Sequence, residues 1–470
     1  MPSLFSFCHT LYHLAAVFST MKSILEGILI SVITMKSLWT QQVKMPEFSK
    51  LQGDIKTDVL VVGGGIAGLL CAFELKNAGV DCVLIEADRI GSGTTMHTTA
   101  KLTSQHGLIY HKLARTMGDE VAKLYWQANE AGLKRIREWA QQYPCSFETK
   151  NNFIFSRANK KQLEEEMYVL QRLGIPGEFL ESVDLPLQTA GAVSFANQAQ
   201  FHPMQFLAQI AENINIYEQT RVKEFIGNAV VTENGNVDAK KIIVATHFPI
   251  LNKHGGYFIK MYQSRSYLMA VRNTPKPDGM YLSADADGLS FRSWEDYLLV
   301  GCGDHRTGKR SESWIPAEKC VREFFHGGEI LFRWAAQDCI TLDGMPYVGL
   351  YSPATPNLYV ATGFNKWGMT GAMIAAMILA DMVQRKENPF SELFSPSRRI
   401  LRPQLFVNAV ESASNLLRLS GPRCPHLGCK LKWNPTEHSW DCPCHGSRFS
   451  DSGKLLDGPA TGNMKSHRSE

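Results

Sequence analysis

The clearest alternation of apolar and polar positions lies in residues 57–88, TDVLVVGGGIAGLLCAFELKNAGVDCVLIEAD. An apolar run typical of a buried strand is followed by a glycine turn, then by a helix with apolar residues at helical spacing, and then by a second strand that ends in an acid. The pattern predicts a complete βαβ unit. Residues 239–249 predict another strand that ends in a small-residue turn, and residues 358–383 predict a strand, a glycine turn and a long helix.

Residues 150–200 and 255–335 show a different pattern, with short alternating strands separated by turns, which predicts an antiparallel sheet. Further on, residues 403–419 have apolar residues at helical spacing. We interpret 391–420 as a linker helix that docks on the rest of the chain, with membrane contact as the alternative.

The first 34 residues are apolar, but Lys22 and Glu26 interrupt them. No run therefore reaches the roughly 20 residues that a membrane-spanning helix needs. We expect 1–34 to be an extension, with Met35 as a plausible natural start. The domains expected are then 48–390 as the main body, 391–420 as linker and 421–470 as a small C-terminal unit.

Composition narrows the function class. With 470 residues and a formal net charge of +4, the chain has the size of an enzyme and no charge excess that points to nucleic acid. Seven of its eleven cysteines are scattered singly along the chain, which is typical of a reducing compartment, so we expect a cytoplasmic location.

The glycine turn carries the first candidate chemistry. Gly63 permits the tight turn, Gly65 lets the backbone approach a pyrophosphate, and Gly68 lets helix and strand pack closely. Glu86 ends the second strand, where it can accept hydrogen bonds from a ribose. The residues after Glu86 are rich in Gly, Ser and Thr, which favours FAD over NAD. A Rossmann-like dinucleotide-binding domain follows from this pattern.

These segments together resemble the FAD-dependent oxidoreductases of the D-amino-acid oxidase (DAO) type over roughly residues 55–385. The resemblance implies an α/β fold in which the antiparallel sheet roofs the flavin. It also implies that the last helix, beginning within 363–370, aims backbone N–H groups at the flavin. The positions that carry the resemblance or the implied FAD contacts are Gly63, Gly65, Gly68, Glu86, Val222, Ala245, Thr246, Asp343, Gly344, Pro346, Gly363, Gly368 and Thr370.

Polar residues in the predicted roof are candidates for the substrate site. His305 is the candidate catalytic group, and His305 or Arg306 is a candidate substrate contact, against the alternative of a solvated turn. His202 precedes a proline and is expected to cap a helix. Lys366 and Trp367 are candidates to flank the flavin ring, with simple packing as the alternative. Hydride transfer to a flavin relies mainly on proximity, so no catalytic base is obligatory.

Near the C-terminus, Cys424-x-His426 and Cys442-x-x-His445 form two arms, each offering one thiolate and one imidazole. Two Cys and two His suit either tetrahedral zinc or a 2Fe-2S cluster of the Rieske type. Zinc fingers of this composition pair Cys with Cys and His with His along the chain, whereas these arms are mixed. The mixed spacing therefore favours the Rieske arrangement, in which two Cys hold one iron and two His hold the other.

The motifs CPHLGC and CPCHGS closely resemble the cluster-binding motifs of the Rieske proteins of respiratory complexes. That resemblance implies a disulfide between the two remaining cysteines, Cys429 and Cys444. The chain departs from that resemblance in one respect: the strands expected before the first ligand loop are missing, so only about forty residues carry the cluster and we expect a truncated domain. Units of this size need cross-links, metals or docking to remain folded.

A flavin and a one-electron cluster on one chain imply a relay. A small substrate, an amine or amino acid by the resemblance, would reduce FAD by hydride transfer. Electrons would then pass singly to the Rieske cluster, whose exposed histidine side would serve a one-electron acceptor, protein or quinone. The chain resembles a bacterial family of flavin and iron-sulfur oxidoreductases. Two alternatives stay open at this point: the cluster segment as a redox sensor or structural plug, and a reductase that receives electrons through the cluster.

Overall fold

The computed structural model of the chain describes residues 33–309, 313–398, 408 and 421–464. Three β-sheets organise these residues. The first two sheets enclose a cavity, and the third forms a small C-terminal unit.

The first sheet is built around the apolar strand that the sequence predicts at residues 57–62. Its strands are β1 (Ile55–Val62), β2 (Cys82–Ile85), β7 (Asn215–Tyr217), β8 (Val222–Ile226), β9 (Ala229–Thr232), β10 (Asn236–Val244), β16 (Tyr347–Leu350) and β17 (Leu358–Thr362). The central order is β16-β17-β10-β1-β2-β7, with the β8–β9 hairpin attached to β10. Strands β17, β10, β1, β2 and β7 run parallel, as the βαβ pattern requires.

Helices cover this sheet and connect it to the second one. They are α1 (Ile66–Asn77), α2 (Ile109–Met117), α3 (Asp119–Gln142), α4 (Lys160–Leu173), α5 (Pro203–Ala211), α6 (Tyr257–Lys260), α7 (Ile315–Phe324), α8 (Gly368–Val383) and α9 (Ser391–Phe394). Both α1 and α8 are apolar on nearly every side because they pack on each other as well as on neighbouring elements. Burial of this kind explains why neither helix shows a polar face in the sequence.

The second sheet is largely antiparallel, as predicted. It consists of β3 (Lys101–Leu102), β4 (Glu148–Ser156), β5 (Glu178–Leu180), β6 (Gly191–Gln200), β11 (Met261–Arg272), β12 (Met280–Ser283), β13 (Ser290–Trp294), β14 (Tyr297–Arg306) and β15 (Glu329–Thr341). Its order is β15-β11-β14-β13-β12-β4-β6-β3, with β5 on β6. The β4–β12 pair is parallel, while the other pairs are antiparallel.

The C-terminal unit is a four-stranded antiparallel sheet of short strands. They are β18 (Lys432–Asn434), β19 (Ser439–Asp441), β20 (Arg448–Ser450) and β21 (Leu455–Asp457), paired in chain order. Its core is small and includes the four cysteines of the two motifs together with Leu431, Phe449 and Ala460. A core this small gives the unit little stability of its own.

A buried charge network docks this unit on the second sheet. Arg265 of β11 is 3% exposed, and its Nε donates to Glu437 Oε1 over 2.6 Å. Glu437 also pairs with Arg448 at 2.9 Å, and Arg448 pairs with Asp441 at 3.0 Å. Two guanidinium groups and two carboxylates therefore alternate in one series, which crosses the interface between Arg265 and Glu437 and gives each buried charge an opposite neighbour.

Close backbone packing adds to the docking. A Cβ on Gly446 would lie 2.6 Å from Gln263 Cβ, and a Cβ on Gly308 would lie 2.8 Å from Pro443 Cα. Gln337 of β15 donates through Nε2 to Gly446 O and to Asp457 Oδ2, both at 2.9 Å. The C-terminal unit is thus in direct contact with the sheet that roofs the cavity.

The segment before β1 also packs on the main body. Thr34 forms an isolated parallel bridge with Phe332, and Trp39 is fully buried against His202 and Trp294. Residues 1–32 and most of the predicted linker, apart from 391–398 and Asn408, lie outside the described residues. Among the residues described, no helix combines the length and apolar composition needed to cross a bilayer.

Replacing Gly68 with alanine should destabilise the fold. The new Cβ would lie 1.8 Å from Gly63 O, so α1 would have to move away from the glycine turn. Overpacking of this kind costs about 1–3 kcal/mol, and a backbone atom as the obstacle places Gly68→Ala at the upper end. Chemical denaturation monitored by tryptophan fluorescence measures the loss. Gly462→Ala is the control, since a Cβ there meets nothing within 4 Å; equal stability of the two variants would contradict the packing argument.

Replacing Arg265 with methionine should weaken the docking of the C-terminal unit. Glu437 would stay buried with Arg448 as its remaining partner, and the ion pair that joins the unit to β11 would be lost, so stability should fall. Thermal loss of the cluster's visible absorbance measures the effect. Lys160→Met is the matched control, because it removes an ion pair with Glu181 on exposed surface and should change stability little.

The same pair predicts a pH dependence. Burial raises the pKa of Glu437, but Arg265 and Arg448 more than offset this, so the net shift of the pKa is downward. A lowered pKa in the folded state contributes stability above the unfolded pKa and loses it as the pH falls through the folded value. Acidification below the ordinary pKa of 4.5 should therefore destabilise the natural protein more than Arg265→Met. Melting temperatures measured over this pH range check the prediction. If they fell by the same amount in both proteins, Arg265 would not be the cause of the lowered pKa of Glu437.

Candidate functional site

A cavity of about 570 Å³ lies between the carboxyl ends of the parallel strands and the second sheet. Such a position is where ligands bind in doubly wound α/β folds. Seven of the ten predicted cofactor residues line it: Gly63, Gly65, Glu86, Val222, Ala245, Thr246 and Gly368. The sequence therefore located one continuous site from segments more than 300 residues apart.

The other three predicted residues do not line the cavity but pack behind the residues that do. Gly68 brings α1 against Gly63 O, as described above. A Cβ on Gly363 would lie 2.4 Å from Thr341 Cγ2, so this position needs glycine for packing. Thr370 Oγ1 donates to Thr103 O over 3.1 Å and faces the protein interior.

The glycine turn is held by Glu86. Its Oε2 accepts the Gly64 N–H over 2.6 Å, and its Oε1 accepts the Asp88 N–H over 2.8 Å. Burial raises the pKa of Glu86, while these two hydrogen bonds oppose the shift. The carboxylate thus fixes both segments that border the cavity, and its remaining lone pairs are available to a ribose hydroxyl.

The residues at this end fit the expected FAD. Any Cβ on Gly65 would come no closer than 3.4 Å to Thr95 Oγ1, so the backbone here is open to the cavity. Helix α8 begins at Gly368 without a side-chain cap, and Gly368 and Met369 line the cavity. Its first N–H groups and positive dipole end therefore border the cavity.

The roof of the cavity contains a buried lysine that sequence reasoning missed. Lys101, at the start of β3, is 7% exposed and donates to Tyr281 O and Ser290 Oγ, both at 2.7 Å. Among the described residues it forms no ion pair. Burial, with a smaller effect from Arg292, lowers the pKa of Lys101 to about 7. An anion that enters the cavity would favour the charged form of this lysine.

A second charged group lies on the same roof. Lys366 pairs with Asp304 at 2.5 Å and donates to Ser266 Oγ at 3.1 Å, and all three residues line the cavity. Asp338 lies on the adjoining strand, and burial raises its pKa. Trp367 also lines the cavity, where its ring stacks on His106 at 4.5 Å.

Other roof candidates have different surroundings. His305 is absent from the cavity lining: its ring stacks on Tyr267 at 5.6 Å and its Nδ1 is 2.9 Å from Gly303 O. Its position gives no support to a catalytic role. Arg306 points to the C-terminal unit, donating to Pro443 O at 3.3 Å. His202 caps α5 as predicted, with Nδ1 accepting the Gln205 N–H over 3.2 Å.

The two Cys/His motifs fold into two similar loops. Cys424 N donates to Cys429 O over 2.9 Å, and Cys442 N donates to Ser447 O over 2.8 Å. In each loop a glycine four residues after the first cysteine donates back to that cysteine's carbonyl over 2.9 Å. These glycines have φ of +78° and +80°, a region that glycine enters without strain. The shared spacing C-P-x-x-G thus encodes one turn twice.

The loops bring the four predicted ligands together. The Cys424 and Cys442 side chains contact each other, and the His426 and His445 rings lie 5.0 Å apart. The Nδ1 atom of each histidine is buried without a hydrogen-bond partner. Unpartnered buried nitrogens are costly unless something else binds them. The donor set therefore fits a cluster held by two thiolates and two imidazole nitrogens.

The predicted Cys429–Cys444 disulfide is not formed in this structure. Both residues are free thiols, and the sulfurs of Cys429, Cys442 and Cys444 lie within 4.8 Å of one another. A disulfide needs a sulfur–sulfur distance near 2.05 Å. The two thiols instead pack with a ligand thiol in the small core of the C-terminal unit.

The expectation of an exposed histidine side is wrong for His445, while His426 is partly exposed. His445 is 1% exposed and lies between the rings of Phe248 and Phe258, at 6.0 and 6.1 Å. His426 Nε2 is 2.9 Å from Asn252 Oδ1. The histidines face the flavin-binding body because the charge network around Arg265 fixes the unit in this orientation.

The C-terminal unit completes the cavity wall. Residues 455–458, 460 and 461 line it beside His97 and His247. Sequence reasoning missed this contribution, because these residues follow the metal motifs and carry no signal of their own. His247 lines the cavity and Phe248, next in the chain, contacts both histidines of the cluster site. One short segment therefore separates the two sites.

Two protein-family models match the chain. Residues 58–382 match the FAD dependent oxidoreductase (DAO) family, and residues 397–468 match the Rieske [2Fe-2S] domain. The "Putative Rieske 2Fe-2S iron-sulfur protein YhfW" of Bacillus subtilis (strain 168) is 34% identical over 92% of this chain and 97% of its own length.

Two further relatives resemble the flavin-binding body. The gamma-glutamylputrescine oxidoreductase of Escherichia coli (strain K12) is 26% identical over 73% of this chain and 87% of its own length. The crystal structure of glycine oxidase from Geobacillus kaustophilus has a TM-score of 0.63 with 19% identity, covering 74% of this chain and 100% of that one. This last likeness concerns the fold. The chain is an oxidoreductase that belongs to the FAD dependent oxidoreductase (DAO) family and carries FAD together with a C-terminal Rieske [2Fe-2S] domain.

Proposed function

We propose that this protein oxidises a small amine or amino acid at the FAD site and delivers the electrons singly, through the Rieske cluster, to a one-electron acceptor, either a protein or a quinone. The observation that carries this proposal is the shared wall: His247 lines the cavity, and Phe248 contacts both histidines of the cluster site. When bound, FAD takes up a hydride and the cluster carries one electron at a time.

The balance of the reaction is simple. The substrate loses a hydride from carbon and a proton from nitrogen and becomes an imine. The two electrons leave in two single transfers, so that each turnover consumes two equivalents of the one-electron acceptor. The names of two relatives, a gamma-glutamylputrescine oxidoreductase and a glycine oxidase, support an amine or amino acid as the substrate class.

The chain's own residues would bind and orient this substrate. Lys101 is a buried lysine without an acidic partner among the described residues, so a substrate carboxylate beside it would favour its charged form and pair with it. Leu268 and Leu282 also line the roof and provide apolar contacts that exclude water from the reacting carbon. Asp304 neutralises Lys366 nearby, which leaves Lys101 as the cation free to bind a carboxylate in this part of the wall.

The state of the cysteines supports a location in a reducing compartment. All ten cysteines of the described residues are free thiols, nine of them buried. Proteins that keep this many unpaired thiols are typical of the cytoplasm. A cytoplasmic location is therefore part of this proposal.

Anaerobic stopped-flow mixing with a library of amines and amino acids tests the function. A true substrate should first bleach the flavin absorbance and then reduce the cluster in a second phase, because the hydride reaches FAD before single electrons move on. The second phase should be independent of protein concentration, as expected for transfer within one chain.

The result also separates the alternatives. Flavin reduction that never reaches the cluster would leave the cluster as a sensor or structural plug and refute the relay. Reduction of the flavin by a chemically reduced cluster, without any library member reducing FAD, would identify a reductase instead. Electron paramagnetic resonance of the frozen samples identifies which centre is reduced.

Replacing Lys101 with methionine should raise KM for a carboxylate substrate by about 10- to 100-fold, because a charged hydrogen bond contributes about 1.5–3 kcal/mol. KM for an amine without a carboxylate should change little. Lys101→Arg keeps the charge and should restore much of the binding. The FAD and cluster spectra serve as controls for folding. Equal losses for both substrate types would show that Lys101 does not recognise a carboxylate.

A further inference from the structure

One loop of the flavin-binding body reaches the cluster site. The loop follows β10 and contains His247, Phe248 and Asn252. Asn252 Oδ1 lies 2.9 Å from His426 Nε2. An amide oxygen only accepts hydrogen bonds, so Nε2 carries the proton and donates it to Asn252. The other ring nitrogen of His426, Nδ1, then carries no proton, and its lone pair is free to bind a metal. It is buried without a hydrogen-bond partner.

The loop that presents Asn252 is held at several points. The hydroxyl of Thr246 donates to Phe248 O over 2.9 Å, and the hydroxyl of Tyr351 donates to Leu251 O over 2.6 Å. The hydroxyl of Thr362 donates to His247 O. Three backbone carbonyls in the five residues before Asn252 are therefore anchored, two of them by the neighbouring strand β17 and the turn after β16. Such anchoring gives Asn252 a defined position before any metal binds.

We propose that Asn252 is a positioning residue of the Rieske centre, supplied by the flavin-binding body: it fixes the tautomer and ring orientation of His426 and thereby lowers the reduction potential of the cluster. An imidazole that donates its second N–H to an acceptor is a more basic ligand. A more basic ligand stabilises the oxidised iron, and the potential falls. This inference goes beyond the proposed function, because it concerns the cluster's potential whatever the substrate is.

The arrangement has a consequence for the docked state. His426 belongs to the C-terminal unit and Asn252 to the flavin-binding body, so the hydrogen bond exists only while the two are docked. Docking through Arg265 and Glu437 therefore sets the potential as well as the position of the cluster. The Arg265→Met variant should raise the potential in the same direction as removal of the Asn252 acceptor.

Three variants test the proposal by redox titration monitored by electron paramagnetic resonance, on the full chain with both cofactors. Asn252→Leu preserves size and removes the acceptor, so the midpoint potential should shift upward. Asn252→Asp preserves the acceptor and adds negative charge, so the potential should shift downward. Lys253→Ala changes the exposed neighbouring residue and should leave the potential unchanged.

Shifts in opposite directions for Leu and Asp support the proposal, because a mere packing defect would move both in the same direction. Equal potentials in all four proteins, or equal shifts for Leu and Asp, would overturn it. If Asn252→Leu fails to fold, Asn252→Asp alone decides: an unchanged or raised potential is incompatible with an acceptor role. A wild-type flavin that never reduces the cluster would refute the relay while leaving this test of Asn252 intact.

Discussion

The buried contact between Arg265 and Glu437 determines where the cluster stands relative to the flavin. It joins β11 of the roof to the C-terminal unit, and Arg448 and Asp441 extend it as an alternating series of charges. Because a charge this deeply buried is costly without a partner, a unit that turned or slid on the roof would leave Arg265 unpaired and take one of its two arginine partners from Glu437. The network therefore selects one orientation, with the histidines toward the cavity.

That orientation makes the two cofactor sites parts of one structure. Residues after β20 form a wall of the cavity, and Gln337 bonds both a cluster loop and Asp457 from the roof strand β15. Thr94, in the segment that borders the flavin site, donates to the carbonyl of the same Gln337. Movement of the cluster loop is thereby coupled to the cofactor loop through a single residue.

Local sequence predicted the chemistry of both sites and much of the fold. The glycine turn with Glu86 and the two C-P-x-x-G loops each lie within a short segment. Their glycines mark the positions where the backbone must turn tightly, so the sequence alone predicts them. The burial of Lys101 and the contact of Asn252 with His426 depend on segments 180 and 174 residues apart, respectively, and neither residue stands out in its own segment. The disulfide was taken from the resemblance and is not formed in this structure. The exposed histidine side fails at His445, because this unit is docked on its own flavin-binding body.

The size of the C-terminal unit explains why docking matters so much here. Within residues 421–464 its core consists of seven buried residues, four of which are cysteines. Apolar burial on this scale cannot offset the entropy of ordering more than forty residues, and the loops of this described part are not joined by a disulfide. The interface with the roof must therefore supply the stability that a larger domain gains from its own hydrophobic core. A unit held in this way keeps its histidines against Phe248 and Asn252, so the cluster's ligand environment belongs partly to the flavin-binding body. The flavin-binding body thus closes His445 to an external acceptor, while His426 stays partly exposed beside Leu427.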